Sequence, residues 1–386
     1  MTSPERIEAA FAHREGDRVP LFEMSIAADT ASEMLGRQAL TGMTYLRYRE
    51  AAAWMIGPEA HRAFLEQMTV DIVDVARAMS LDMIHCPWRL GSQPSAQLNE
   101  HAFLFGDPDG YYTIRRFDPE TQSFDVVEQH QAARQIRHPF ELESQVESAE
   151  RHAAEGAAID PYTAYAWHAA MLSRYGEEFE ISGAAWLGVP HDNVWLMACV
   201  ERPDLVARLL DARVAVACRQ LEAQAELGLR YICGGGELAC GSGPIYSPTV
   251  FREIVLPRVE RVVACCHQLG QALIFCTNGC VWPIERELFE ESGIDGYGYI
   301  DYESGMDVAL LKARHGDRIT FWGNVPCSSL LHNGTPAQVE EFTKALIGVG
   351  APGGGLLVGS SNYIVPGTPA RNVMAMIDTA LRYGRY

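Results

Sequence analysis

Two short segments of the chain combine glycines with side chains that can do chemistry. The first, GGGELACGSGP at residues 234–244, surrounds Glu237 with glycines that let the backbone approach a bound molecule closely. A carboxylate in such a place can move a proton or bind a metal ion, whereas a wide turn with a solvated carboxylate is the alternative. We predict a functional role for Glu237.

The second segment, CTNGC at residues 276–280, contains two thiols and an amide. No second cysteine pair follows at the spacing of a zinc ribbon, so a structural zinc ion is not expected. A catalytic zinc ion needs only three protein ligands, and Cys276 with a distant carboxylate or thiol could provide them. A ligand role for Cys276 and a buried, inert thiol are equal alternatives, whereas Cys280 is predicted to be a packed thiol.

The second half of the chain alternates short apolar runs, typical of strands, with longer helical patterns. The five predicted units join residues 230–233 to 249–269, 272–276 to 283–292, 295–300 to 306–314, 319–323 to 336–347, and 355–359 to 369–383. Successive strand–helix units predict a parallel sheet, and right-handed crossovers then leave a barrel or a doubly wound sheet.

The first half can supply three more strands, at residues 19–24, 81–86 and 179–186. Eight strands in 386 residues predict an α/β fold, a (β/α)₈ TIM barrel that forms one domain over residues 1–386. We also expect an N-terminal helical segment, and a β-hairpin inserted outside the barrel at residues 105–129.

In such barrels, functional side chains lie at the carboxyl ends of the strands and in the loops that follow. That position selects Glu23, His85, Glu237, Cys276, Asn278, Tyr299, Asp301, Asn324, Cys327 and Asn362. The predicted catalytic residues are Glu237, Asn278, His85 and Tyr299. The predicted substrate-binding residues are Glu23, Asn324, Asn362 and Trp186, and the predicted metal ligands are Cys276 and Glu237.

Composition excludes several classes of protein. With 31 basic and 50 acidic side chains the net charge is −19, which argues against a nucleic-acid partner. No run approaches the ~20 apolar residues of a membrane helix, and no secretory signal is visible. Ten cysteines in a chain of this length do not suggest a disulfide framework, so we expect a reduced, cytoplasmic protein.

Four segments together resemble the uroporphyrinogen decarboxylase superfamily, which includes the cobalamin-dependent methyltransferases. They are PERIEAAFAHREGDRVPLFE at 4–23, GSGPIYSPTVFREIVLPRVERVV at 241–263, ITFWGNV at 319–325 and GGLLVGSSNYIVPGTPARNV at 354–373. The resemblance implies a (β/α)₈ barrel with its site in the mouth. The true decarboxylases have an R-Q-A-G-R stretch after the first strand, but here Ala27, Ala28 and Asp29 follow Ile26. A substrate with many carboxylates lacks cations there, so porphyrinogen decarboxylation is not expected.

The zinc methyltransferases of the superfamily have an H-x-C-G motif after the strand equivalent to residues 272–276. Here that place has Cys276 for the histidine and Asn278 for the cysteine, and the last strand leads into Asn362 without a cysteine. The resemblance implies methyl transfer between a small molecule and a corrinoid or thiol, with Glu237 as acid, base or ligand. The cofactors it implies are zinc and a corrinoid carried by a separate protein, and a homodimer is expected by analogy.

Two alternatives remain. A decarboxylase or lyase acting on a small carboxylic acid needs no corrinoid. A non-catalytic binding barrel that kept the fold after losing its metal ligands is the third interpretation. For the methyltransferase, Glu237→Gln is expected to abolish turnover, because a carboxyl group with a pKa raised by burial can protonate the leaving group.

Overall fold

The computed structural model describes residues 1–130, 138–188 and 190–386. Its strands are β1 (Met83–His85), β2 (Ala96–Asn99), β3 (Ala102–Gly106), β4 (Tyr112–Asp118), β5 (Ser123–His130), β6 (Glu180–Trp186), β7 (Tyr231–Gly235), β8 (Ala239–Cys240), β9 (Gly243–Pro244), β10 (Ala272–Cys276), β11 (Gly296–Gly298), β12 (Thr320–Val325) and β13 (Leu356–Ser360).

The helices before β7 are α1 (Ser3–Phe11), α2 (Ala28–Leu35), α3 (Thr44–Ile56), α4 (Pro58–Ala78), α5 (Glu143–Glu155), α6 (Pro161–Ala164), α7 (Ala166–Tyr175), α8 (Asn193–Glu201) and α9 (Pro203–Leu227). Those after it are α10 (Pro248–Val250), α11 (Leu256–Gln268), α12 (Val308–His315), α13 (Pro336–Gly350) and α14 (Ala370–Tyr383). Four helices precede β1, which confirms the N-terminal helical segment. No helix in the described ranges has the length and apolar character needed to cross a membrane.

The main sheet is parallel and curled, with seven strands in the order β1-β6-β7-β10-β11-β12-β13. Seven of the eight predicted strands are therefore confirmed, because their apolar runs are buried on both faces, as parallel strands require. Register places Cys233 opposite Ile274 and Cys276 opposite Gly235. Alternate side chains such as Cys233 and Cys276 point into the space that the curled sheet encloses.

The predicted strand at residues 19–24 pairs at only two positions. Leu21 bridges to Val358 on one edge of the sheet, and Phe22 bridges to Met83 on the other. The regular six-residue strand was a wrong prediction, because Pro20 has no N–H to donate and the chain beyond Phe22 turns aside to line a cavity.

The insertion is larger than the predicted hairpin. Strands β2, β3, β4 and β5 form a four-stranded antiparallel sheet, in which β4 and β5 are the hairpin. Phe103, Phe117 and Phe124 are buried against α3, where Tyr48 stacks on Phe117 with 4.0 Å between ring centroids. The prediction was too short because residues 96–106 reach the sheet through an irregular register.

Two predicted helices are continuous but not regular α-helices throughout. Residues 249–269 contain a π turn at Phe251–Val255 before α11, since Pro257 supplies no N–H to that turn. The helix predicted at residues 283–292 is confirmed over residues 282–291, where it begins with a 3₁₀ turn at Trp282–Ile284 and ends with a π turn at Glu287–Glu291.

Candidate functional site

A pocket of about 270 Å³, here called the mouth pocket, opens at the carboxyl ends of the central strands. Six of the predicted site residues line it: Trp186, Glu237, Cys276, Asn278, Tyr299 and Asn362. They converge because β6, β7, β10 and β11 are neighbours in one parallel sheet, so all of these strands end on the same side.

Two amides form the polar wall of the mouth pocket. The Asn362 side chain donates to Oδ1 of Asn278 across 3.1 Å, joining the loops after β13 and β10. Thr277 holds the neighbouring loop by accepting the Leu238 N–H at 3.0 Å. Both amides keep hydrogen-bonding capacity for a polar group in the pocket.

The other walls are largely apolar. Met24, Met43 and Trp88 line the pocket beside Trp186, and the two indoles meet edge to face with centroids 5.8 Å apart. Met24, Met43 and Trp88 were not among the predicted site residues. Met24 is the last residue of the predicted strand at residues 19–24, which was the available signal; Met43 and Trp88 lie in irregular loops.

Glu237 lies on the rim of the mouth pocket and is exposed to solvent. The expectation that Glu237 is buried is therefore wrong. The reason is local: after β7 the chain turns into the short ribbon of β8 and β9, which carries the residue outward.

The buried carboxyl group of this region is Glu23. It lines a smaller cavity of about 50 Å³ between α4 and the sheet, and the two cavities share Met24 and Ser25. The Ser360 hydroxyl donates to Glu23 at 2.7 Å, and the Ser360 N–H donates at 2.5 Å. Burial raises the pKa of Glu23 to about 8 against the opposing effect of those bonds, so the carboxyl holds a proton at neutral pH.

Below the mouth pocket, two thiols and an imidazole are linked inside the curled sheet. The hydrogen bond from Cys276 lowers the pKa of Cys233, and His85 acts in the same sense. Burial raises the pKa of Cys276, and the neighbouring Cys233 raises it further. Nδ1 of His85 lies 2.8 Å from the Ser182 hydroxyl.

Cys233 and Ser182 were not among the predicted site residues. Both lie inside strands whose alternate residues face the enclosed space, and that alternation was the signal that could have identified them.

The remaining predicted residues occupy different places. Tyr299 lines the mouth pocket in a left-handed conformation (φ 63°), its hydroxyl meets the Met24 sulfur, and burial raises its pKa. His85 lines the smaller cavity. Asn324 is buried in β12, donates to the Met306 carbonyl at 3.4 Å and is not part of the mouth pocket.

The predicted zinc ligands do not come together. Across residues 1–130, 138–188 and 190–386, no three His, Cys, Asp or Glu side chains are grouped so that they could hold a metal ion. Glu237 is exposed, and the buried Cys276 thiol donates to the Ile274 carbonyl at 3.5 Å. These residues do not fit zinc as they stand.

Comparison with known proteins gives one consistent family. Residues 190–383 match the family described as uroporphyrinogen decarboxylase (URO-D). The uroporphyrinogen decarboxylase of Methylibium petroleiphilum is 29% identical over 192 residues, 48% of this chain and 49% of that protein. That of Coxiella burnetii is 26% identical over 188 residues, 47% of this chain and 49% of that protein. The aligned part thus spans about half the length of these curated relatives.

A solved structure shares the whole fold. A methyltransferase from Methanosarcina mazei superposes with a TM-score of 0.65 over 99% of both chains, at 17% sequence identity. At that identity the likeness concerns the fold alone. The match of half the chain to the family carries the assignment: this protein belongs to the uroporphyrinogen decarboxylase family.

Proposed function

We propose that the protein is an enzyme that moves a methyl group between a small molecule and a corrinoid or thiol acceptor, in the mouth pocket. The observation that carries this proposal is the composition of that pocket: apolar walls, one thiol and two amides at the ends of parallel strands. The fold shared with a methyltransferase supports it.

Each wall of the pocket has a part in this proposal. Met24, Met43 and the two tryptophans provide apolar contact for the methyl-bearing part of the substrate. Asn278 and Asn362 bind its polar group, because each amide offers both a donor and an acceptor. Glu237 lies on the rim, where it contacts the substrate as it enters.

The reaction breaks the bond between the methyl carbon and an oxygen or nitrogen. The electron pair stays on that atom, which then takes a proton while the acceptor takes the methyl group. Glu23 is the carboxyl that holds a proton at neutral pH, and it lies behind the wall formed by Met24 and Ser25. We propose Glu23 as the source of the proton that the leaving atom takes, since its cavity and the mouth pocket share Met24 and Ser25.

Zinc, a corrinoid on a separate protein, a homodimer and a cytoplasmic location stay predictions. A corrinoid would carry the methyl group. We also propose that Leu21 and Phe22 close the barrel in place of a regular eighth strand, since they bridge to the two edges of the sheet.

A decarboxylase or lyase is the second candidate, favoured by the protonated Glu23. Loss of CO₂ breaks a carbon–carbon bond and leaves its electron pair on the substrate carbon, which must then take a proton. The family's name is that of a decarboxylase, and this chemistry needs no methyl acceptor.

One experiment separates these candidates. The protein is incubated with O-methyl aromatics, methylamines and methyl thiols in the presence of reduced cobalamin, and methylcobalamin is followed by absorbance. Methyl transfer supports the proposal. Release of CO₂ from small carboxylic acids without methyl transfer would replace it with the lyase. Tight binding in calorimetry with no turnover of any compound would indicate the non-catalytic barrel.

A further inference from the structure

A second pocket, lined by arginines, lies between α3, the loop after β1 and the inserted sheet. Its volume is about 260 Å³, and Arg47, Arg89 and Arg115 all line it. The mouth pocket and this arginine pocket have no lining residue in common. Three guanidinium groups in one pocket are unexpected in a chain of net charge −19, because burying a charge costs free energy unless the charge is paired.

Arg89 is paired with a carboxylate of the protein. Its Nε donates to the buried Glu50 carboxylate at 2.9 Å, and Nη2 donates to the same oxygen. Glu50 also accepts the Leu90 N–H at 2.9 Å and contacts His61 at 3.1 Å. This network ties the loop after β1 to α3, so Arg89 has a structural role.

Among the residues that the structure describes, Arg47 and Arg115 have no carboxylate partner of this kind. In the described part of the chain, neither guanidinium lies within 4.0 Å of a carboxylate, and Arg47 donates to the Trp88 carbonyl at 3.2 Å. Burial lowers the pKa of Arg47, the neighbouring charge of Arg115 lowers it further, and the charge of Glu50 offsets part of this effect. Two partly desolvated like charges that face one cavity are stabilised when an anion enters it.

We propose that the arginine pocket binds the carboxylate or phosphate group of a small-molecule ligand. Arg47 and Arg115 bind the oxyanion through planar, forked donors, and Thr113 on the same face of β4 adds a hydroxyl. The site lies directly behind Trp88, which lines the mouth pocket. This inference concerns binding and does not depend on the reaction proposed above.

The inserted sheet offers a matched control. Arg115 and Arg116 are neighbours on β4, but Arg115 faces the pocket and Arg116 is exposed on the other face. Replacing either residue with Gln removes one positive charge, so any difference between the two variants reflects the pocket and not the net charge.

The test is calorimetric titration of the full chain with inorganic phosphate and with malonate at constant ionic strength. We expect one of the two to bind, and Arg47→Gln and Arg115→Gln to weaken its binding roughly tenfold or more. Arg116→Gln should bind like the wild type. Tighter binding of phosphate or of malonate identifies which oxyanion the site takes. Absence of binding by both anions, or equal weakening in Arg115→Gln and Arg116→Gln, overturns the proposal.

Thermal unfolding of the variants shows whether a loss of anion binding is caused by a loss of stability. Arg115 has no carboxylate partner in the described residues, so Arg115→Gln should unfold at the same temperature as Arg116→Gln. If Arg115→Gln alone unfolds early and binds no anion, Arg47→Gln decides: retained binding in that variant overturns the proposal, and lost binding supports it.

Discussion

The rim and the interior of the site hold the same kinds of side chain in opposite environments. Glu237 lies on the exposed rim of the mouth pocket, whereas Glu23 is a buried carboxyl beside it that accepts hydrogen bonds from Ser360. Burial raises the pKa of Glu23 to about 8, because it disfavours the charged form. Proton chemistry therefore belongs to the interior, and contact with the incoming substrate belongs to the rim.

The largest expected effect is a fall in the free energy of unfolding as the pH rises. The pKa of Glu23 is higher in the folded chain than its ordinary value of 4.5, so its contribution to stability is fully present below about pH 4.5 and is lost as the pH rises through about 8. We expect the free energy of unfolding to fall with pH across this window by up to about 1.4 kcal/mol per unit from this group. Urea unfolding at several pH values measures the decline.

Glu23→Gln supplies the control for that decline. Because the amide does not titrate, the variant should lose the part of the pH dependence that Glu23 contributes, whereas Glu237→Gln should keep it. Parallel stability curves for wild type and Glu23→Gln would show that Glu23 is not a protonated buried acid.

Removing the thiol that faces the mouth pocket is expected to be the next largest change. Cys276→Ala loses the donor to Cys233 and any acceptor or ligand role, so we expect kcat to fall about 100-fold, or ~3 kcal/mol. Cys240→Ala removes an exposed thiol outside the pocket and should stay within about twofold of wild type. Equal activity of the two variants would remove Cys276 from the reaction. Zinc content measured in the same preparations tests the predicted metal.

The amide wall should affect substrate affinity. Asn362→Ala removes the bond to Asn278 and one hydrogen-bonding group of the pocket, so we expect KM to rise roughly tenfold with little change in kcat. Asn333→Ala, at an exposed asparagine outside the pocket, is the matched variant and should leave KM unchanged. A fall in kcat with constant KM would instead assign Asn362 to the transition state.

Glu237→Gln is expected to have the smallest effect. The sequence alone predicted that this change abolishes turnover. The exposed position of Glu237 now predicts a kcat within about threefold of wild type and a modest rise in KM. Steady-state kinetics decide between the two expectations, and loss of all turnover would restore Glu237 as the proton donor.

Prediction from sequence succeeded where local pattern determines structure. Apolar runs such as residues 272–276 defined buried parallel strands, and the strand-end rule then gathered Cys276, Asn278 and Tyr299 into one pocket. It failed where tertiary context decides. The exposure of Glu237 depends on a ribbon of two-residue strands, which are too short to recognise in sequence. The lowered pKa of Cys233 depends on Cys276, which lies on the neighbouring strand β10.

The arginine pocket could not be predicted from the sequence either. Its three arginines come from α3, an irregular loop and an antiparallel strand, so no spacing along the chain links Arg47, Arg89 and Arg115. The hairpin at β4 and β5 was predicted, but nothing in its sequence shows which face packs against α3.

The pH dependence of kcat in wild type and in Glu23→Gln tests the division between rim and interior most directly. If Glu23 holds the proton that the reaction uses, wild-type kcat falls as the pH rises through about 8, and Glu23→Gln is slow and lacks this limb. Glu180→Gln is the matched control. This carboxyl is also buried, but it lies at the amino end of β6, whereas the mouth pocket is at the carboxyl ends of the strands. The variant should keep the fall in kcat as the pH rises through about 8. A Glu23→Gln variant with wild-type kcat and the same limb would contradict the account.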